Sequence, residues 1–544
     1  MKELLTALLP EIVLAATACI LFLLGAKATR GVRLLAPFLA TAGLLLATAI
    51  VICPALTKPF SDGYGTLRLS EFTFYFKILA GLVGVLLLLL QWPTDSDATG
   101  NRSLQYGKEA PEYFGLLLLS ICGIFLVAGA NDIILLFLGI ELAALPTYVM
   151  VSISRPLPVA QEAGIKYFFL GALSAALMLF GFSYLFGTTG TLSLHEIAQQ
   201  LRPALSSATV TLSSWQMLAA VLIIVGIAFK LAAFPLHFYA GDVYTGAATP
   251  LTALLSFVPK AAGLAALIRI VYVLGGESWV MPGNLVRLLW VIAVLTMTIG
   301  NVLGLMQSNI KRVMACSSIA HSGYMLAGVA LLASAGSGYA LALQGVLFYI
   351  AAYGLMNAGL FGVLMMLPAK PDPFADSPGE RPATTAETYA DIAGQGKLHP
   401  GLGLAMAACC FSLIGLPLTV GFFGKYYLIR PLLAAEWYGL AIIMVLNAAI
   451  SAGYYLRIIG AMFLRSPETH EAPTACAATA GSDSCGRTCM KTVPVMVAVI
   501  VSAAGSILLG TLMPTTAALS TSAQQATDLA TPAPTPKSAT TLQP

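Results

Sequence analysis

Fourteen runs of mostly apolar residues, each about twenty long, alternate with shorter polar stretches along this chain. They lie at about 4–24, 34–55, 72–92, 112–129, 132–153, 164–187, 215–237, 249–274, 285–306, 310–333, 338–367, 402–429, 436–463 and 493–513. About twenty helical residues cross a ~30 Å hydrocarbon core. The runs are continuously apolar rather than alternating, which predicts helices and excludes a transmembrane β-barrel. The fold class is therefore all-α, a polytopic membrane protein with about 14 transmembrane helices. Two runs contain breakers: Pro235 in the seventh, and Gly415, Pro417, Gly421 and Gly424 in the twelfth. Broken helices at membrane depth are tolerated where they are buried in protein or line a wet cavity. The first run has no small-residue cleavage site and reads as a span, not a removed signal peptide.

The polar segments organise the rest. Residues 1–513 read as one transmembrane domain. Residues 368–400 and 466–491 are rich in Pro, Gly, Ala and charge and read as long loops. Residues 514–544 are of low complexity and are expected to be a disordered, dispensable tail. Basic residues decide orientation. With the N-terminus outside, inner loops hold Lys27, Arg30, Arg33, Arg102, Lys108, Arg155, Lys311, Arg312, Lys370, Arg381, Lys397, Arg465, Arg487 and Lys491. Outer loops hold fewer: Lys58, Arg68, Arg202 and Arg430, with Arg287 at a span edge. Both termini then lie outside.

Composition sharpens this picture. The chain is 58% hydrophobic and 10% charged, far below the ~25% charge of soluble domains. A net charge of +4 is too small to suggest nucleic acid. Of nine cysteines, six lie in or beside spans and read as small apolar packers. Cys476, Cys485 and Cys489 share one loop with His470, but their spacing is not a zinc pattern, and reduced thiols are expected. No Walker A, dinucleotide, haem or iron–sulfur motif is present, so no cofactor or metal is expected on this chain.

The chemistry lies in ionisable residues placed deep in the runs. Lys230 and Lys260 each stand fifteen residues from Thr245, in a segment read as two helices joined by a polar turn at 241–249. That spacing, shortened by the turn and by Pro235, puts both ammonium groups at a depth of ~15 Å, near the bilayer centre. A lysine there costs roughly 2.5–3.5 kcal/mol, and by default it marks a functional site. Snorkelling or structural pairing is the alternative. His237, two turns beyond Lys230, is expected on the same face. Glu141 sits nine residues from Asp132, again in mid-span, and needs a proton or a cation. Lys230 is its natural partner, either for chemistry or for packing alone. His321 is mid-span, ten residues past Lys311. Lys425 is five residues from Arg430 and reaches depth only if the helix breaks at its glycines. This set suits proton transfer, from Glu141 and Lys230 by His237 and Lys260 toward His321 and Lys425.

The segments FLGIELAALPTYVMV, FKLAAFPLHFYAGDVYTGAATPLTALLSFVPKAAGLAAL, QSNIKRVMACSSIAHSGYMLAG and LPLTVGFFGKYYLI resemble the antiporter-like membrane subunits of respiratory complex I. They are most similar to the bacterial N type, over roughly residues 70–465. The resemblance implies two inverted five-helix repeats with broken helices 7 and 12. It implies that Glu141 and Lys230 are the paired glutamate and lysine, Lys260 the linking lysine and Lys425 the terminal ionisable residue. His237 and His321 match positions on the polar axis. Lys425 where an M-type subunit has glutamate, and no long amphipathic C-terminal helix of the L type, separate this chain from those subunits. The implied function is proton translocation in a bacterial inner-membrane NADH:quinone oxidoreductase, driven by quinone reduction elsewhere. FMN, iron–sulfur clusters and quinone are then expected in partner subunits. The implied partners are the antiporter-like M and L subunits, small K-, J-, A- and H-type subunits, and the lipid bilayer. Two other readings stay open: a subunit of a related cation/proton antiporter or membrane-bound hydrogenase, and a scaffold whose buried charges only fix helix packing.

Overall fold

The computed structural model describes residues 2–27, 30–53, 65–92, 110–155, 157–205, 212–275, 279–334, 339–367, 386–465 and 493–526. The Cys476, Cys485 and Cys489 loop, most of the 368–400 loop and the last part of the tail lie outside them. The described chain is helical with three isolated bridges and no strand. Its helices are α1 (Lys2–Ala7), α2 (Leu9–Gly25), α3 (Arg30–Ile52), α4 (Glu71–Leu90), α5 (Ala110–Gly129), α6 (Ile133–Ile153) and α7 (Pro158–Thr189). Next come α8 (Leu194–Leu205), α9 (Ser214–Lys230), α10 (Tyr239–Gly246), α11 (Thr249–Gly275), α12 (Gly283–Met306), α13 (Ile310–Leu332) and α14 (Tyr339–Met366). The last are α15 (Tyr389–Ile392), α16 (Gln395–Leu398), α17 (Pro400–Ile414), α18 (Val420–Ala434), α19 (Tyr438–Phe463), α20 (Val493–Thr511) and α21 (Met513–Gln525).

A helix lies on each of the fourteen predicted runs. Among the described residues, eleven helices are long and apolar enough to cross a membrane, and α2 and α9 are shorter apolar helices. The chain is a multi-pass membrane protein. Helices α11 and α13 are buried along their whole apolar length and form the bundle centre. Helices α7, α12, α19 and α20 turn more of their surface outward and form the rim. Close approach needs small residues: a Cβ on Gly123 of α5 would lie 2.3 Å from the Ala143 backbone nitrogen of α6, as expected where membrane helices touch.

Described parts of several predicted inner loops meet at one end. There Asn309 bridges Thr388, Arg155 and Lys311 both reach Glu387, and Arg312 reaches Asp242. The predicted outer loops gather at the other end, where Leu67 bridges Ala130, Asp132 bridges Ser193 and the Met281 amide donates to Ala333.

Three expectations need correction. The seventh run breaks at Lys230, not at Pro235. The proline ring excludes the helical carbonyl four residues back, at Leu231, and Ala232 takes a left-handed φ of 52°. The stretch read as a polar turn at 241–249 is mostly helix, because α10 runs to Gly246. The tail expected to be disordered from 514 begins as α21, where alanines favour helix and Gln344 donates to the Ser520 carbonyl at 3.0 Å.

A buried ion pair that the run-by-run reading passed over joins the first helices. Lys77 of α4 lies 2.6 Å from Glu11 of α2, both nearly inaccessible, with the ammonium over the Phe125 ring. Breaking such a pair strands one buried charge, whereas removing both charges can be almost neutral. Lys77→Met is therefore expected to lose about 3–5 kcal/mol of stability, read as a lower subunit level in membranes. Adding Glu11→Gln should restore most of it; a single variant as stable as the double would contradict this.

Candidate functional site

The Glu141 carboxylate accepts from Lys230 Nζ at 2.9 Å. Lys230 also donates to the Tyr148 hydroxyl at 3.0 Å and lies over the Tyr148 and Phe229 rings. Glu141 and Tyr148 are seven residues apart on α6, two turns, so both face the end of α9. The pair is buried, the lysine more deeply than the glutamate.

Between Lys230 and Lys260 lies a cavity of about 10 Å³ lined by both lysines, Tyr167, Tyr239, Tyr244 and Pro259. That is close to the space one water needs. Pro259 has no N–H, so the Leu255 carbonyl, whose residue also lines the cavity, has no helical donor. Lys260 donates to the carbonyl and hydroxyl of Ser318 on α13. The same hydroxyl accepts from Tyr353 at 2.7 Å and lies 3.0 Å from the Tyr244 hydroxyl.

His321 follows one turn along α13. Its Nδ1 lies 2.6 Å from the Tyr349 hydroxyl and its Nε2 3.1 Å from the Tyr455 hydroxyl, which also bonds Ser317. The His321 ring lies 5.2 Å from Tyr353 on one side and 5.7 Å from Tyr324 on the other. Lys425 Nζ stands 5.1 Å from the Tyr324 ring. Lys425 reaches this depth because the twelfth run breaks, with Gly415 at φ 90° and Leu418 at φ 71°. Its ammonium turns back to the last carbonyls of α17, Leu413 at 3.1 Å and Ile414 at 2.7 Å. These carbonyls have lost their helical donors at the break.

Five of the six candidate residues thus form a series of neighbours, Lys230, Lys260, His321 and Lys425 buried and Glu141 partly so. His237 does not join it by the expected route. Helix α9 ends at Lys230, so the two-turn spacing that would stack His237 over the lysine does not exist. The ring sits in the break beside Phe234 and Phe238, with Nδ1 buried and unbonded. Among the described residues no group of His, Cys, Asp and Glu gathers to hold a metal.

A family model described as NADH:quinone oxidoreductase/Mrp antiporter, TM, matches residues 130–451. NADH-quinone oxidoreductase subunit N of Trichlorobacter lovleyi is 36% identical over 509 residues, 93% of this chain and 94% of that one. The chain belongs to the NADH-quinone oxidoreductase subunit N family. Subunit N of an Anaeromyxobacter species is also 36% identical, over 85% of this chain and 88% of its own. A chain of respiratory complex I from Thermus thermophilus, solved with bound aureothin, superposes with a TM-score of 0.70 at 27% identity. The match covers 92% of this chain and 97% of that one. A chain of the Mrp complex from Dietzia, at 20% identity and a TM-score of 0.74 over 96% and 98%, shares the fold alone.

In this member of the subunit N family, the residues the sequence reading missed are the hydroxyls between the charges. Ser317 and Ser318 precede His321 by four and three residues, and Tyr324 follows by three, so all share one face of α13. Tyr349 and Tyr353 repeat the four-residue spacing on α14. That helical register was the available signal. Ser318→Ala keeps the carbonyl but removes the hydroxyl shared by Lys260, Tyr244 and Tyr353. A hydrogen bond to a charged group is worth about 1.5–3 kcal/mol. A several-fold lower quinone-coupled proton output is therefore expected from the assembled complex, and wild-type output would show that the hydroxyl is dispensable.

Proposed function

We propose that the chain is a proton-translocating membrane subunit of NADH:quinone oxidoreductase. In this reading protons move along Glu141, Lys230, Lys260, His321 and Lys425, driven by quinone reduction in other subunits. The observation that supports it is the series of neighbouring titratable and hydroxyl groups from Glu141 to Lys425, joined by hydrogen bonds, one small cavity and aromatic contacts. The 36% identity to subunit N over nearly the whole chain favours this over an antiporter subunit, since the family model spans both kinds of complex and the Mrp chain is only 20% identical.

Charge then loads and unloads the line. An ammonium at Lys230 is stabilised while the Glu141 carboxylate stays within hydrogen-bond distance. If the carboxylate withdraws, the low dielectric favours the neutral amine and the proton leaves. A water in the small cavity would carry it to Lys260, and the Ser318, Tyr353 and His321 groups onward to Lys425. The chain carries no motif for an electron carrier, so FMN, iron–sulfur clusters and quinone belong to partner subunits. The partners are the other antiporter-like and small membrane subunits, and the location is the bacterial inner membrane with both termini periplasmic. Lysines beside the breaks of both the seventh and twelfth runs support two inverted five-helix repeats.

The assembled complex carrying Lys230→Ala tests the reading. General acid–base groups contribute ~10²–10⁴-fold, so about a tenfold or larger fall in proton pumping and quinone reductase activity is expected, with assembly largely intact. Normal pumping would support the scaffold reading instead.

A further inference from the structure

Helix α10 touches the surroundings of both central lysines. Its Tyr239 hydroxyl donates to the Phe229 carbonyl, next to Lys230, at 2.8 Å. Its Tyr244 hydroxyl shares Ser318 with Lys260. Yet the break at 231–238 cuts α10 off from α9, and it is only eight residues long. Side chains from other helices must therefore hold it.

Four charged groups do so at the predicted inner end. Asp242 of α10 accepts from Arg312 of α13 at 2.6 Å and from Lys166 of α7 at 3.1 Å. These partners are more than a third exposed, and such pairs are weak and screened by salt. Lys311 is different. It is wholly buried, and its ammonium donates to the Ala247 carbonyl at 2.5 Å and the Thr245 carbonyl at 3.2 Å. Those are the end carbonyls of α10, where a cation is favoured.

Glu387 supplies the counter-charge. It lies 3.3 Å from Lys311 Nζ and also accepts from Arg155, just past the end of α6, the helix of Glu141 and Tyr148. Its own backbone is fixed on both sides: the Glu387 amide donates to Asp391 at 2.9 Å and its carbonyl accepts from Ile310 at 2.8 Å. Burial alone would raise the Glu387 pKa, but Lys311 and Arg155 hold it below the usual carboxylate value. One carboxylate thus ties α6, α10 and α13 together.

We infer that Glu387 is a positioning residue for proton passage between Lys230 and Lys260, holding α10 in register through Lys311. This rests on the proton-transfer reading above. Without the carboxylate, Lys311 and Arg155 become neighbouring like charges, and α10 loses its buried anchor.

The test uses the whole complex in membrane vesicles with Glu387→Gln, Glu387→Asp, Lys260→Ala and the Glu387→Gln/Lys260→Ala double variant. NADH oxidation by a hydrophilic artificial acceptor reports assembly, and protons moved per NADH oxidised by quinone reports coupling. Glu387→Gln is expected to lower proton output about three- to thirty-fold, the range for residues acting through a network, with acceptor activity unchanged. Glu387→Asp should recover more than half of the loss, and the double variant should be no worse than Lys260→Ala alone. Wild-type output in Glu387→Gln, or a parallel fall in acceptor activity that aspartate does not rescue, would overturn the inference. If Lys260→Ala itself pumps normally, the proton-transfer reading has failed, whatever Glu387 does.

Discussion

An ammonium group in a low-dielectric interior must have an acceptor, and the interior of this bundle is arranged around that demand. Four lysines of the central and inner region are buried: Lys230, Lys260, Lys311 and Lys425. Each is met differently. Lys230 has a carboxylate, Lys260 a serine carbonyl and hydroxyl, and Lys425 the freed end carbonyls of α17. Lys311 has the end carbonyls of α10 together with Glu387. A continuous helix spends its carbonyls on itself. Interrupting it exposes acceptors where water is scarce, and Lys311 and Lys425 use the helix-end carbonyls so freed.

The acceptors are unequal. Of Lys230, Lys260 and Lys425, only Lys230 is paired with a formal negative charge among the described residues. Lys260 and Lys425 rely on neutral oxygens and aromatic faces, with Tyr353 and Tyr324 beneath their ammonium groups. Hydroxyls of Ser318, Tyr353, Tyr349 and Tyr455 lie among these charged groups and bond one another or His321.

Much of this was legible in the amino-acid pattern, because hydropathy and charge act over whole helices. Each apolar run holds a helix, and the positions of Glu141, Lys230, Lys260 and His321 well inside their runs could be counted from the polar run ends. The break near Lys425 could be read from its glycines and proline. The remainder depends on contacts between distant segments. The break at Lys230 precedes the proline that provokes it, and this removes the periodicity that would have placed His237. Glu387 looks like one more charge in a loop until Arg155 and Lys311 meet it from 232 and 76 residues away. Glu11 and Lys77 each look like a lone charge in an apolar run, and only tertiary packing makes them a pair. The alanine-rich start of the tail helix was mistaken for disorder because composition cannot show that Gln344 waits to bind it.

The most direct measurement is the number of protons moved per NADH by the reconstituted complex carrying Lys260→Met, a change that removes the charge in mid-line but keeps an unbranched, flexible apolar side chain. A fall in proton yield, with NADH oxidation by a hydrophilic acceptor undiminished, is the result expected if Glu141 and Lys425 communicate through this lysine. An unchanged yield at an unchanged quinone-reduction rate would mean that protons do not travel along this line.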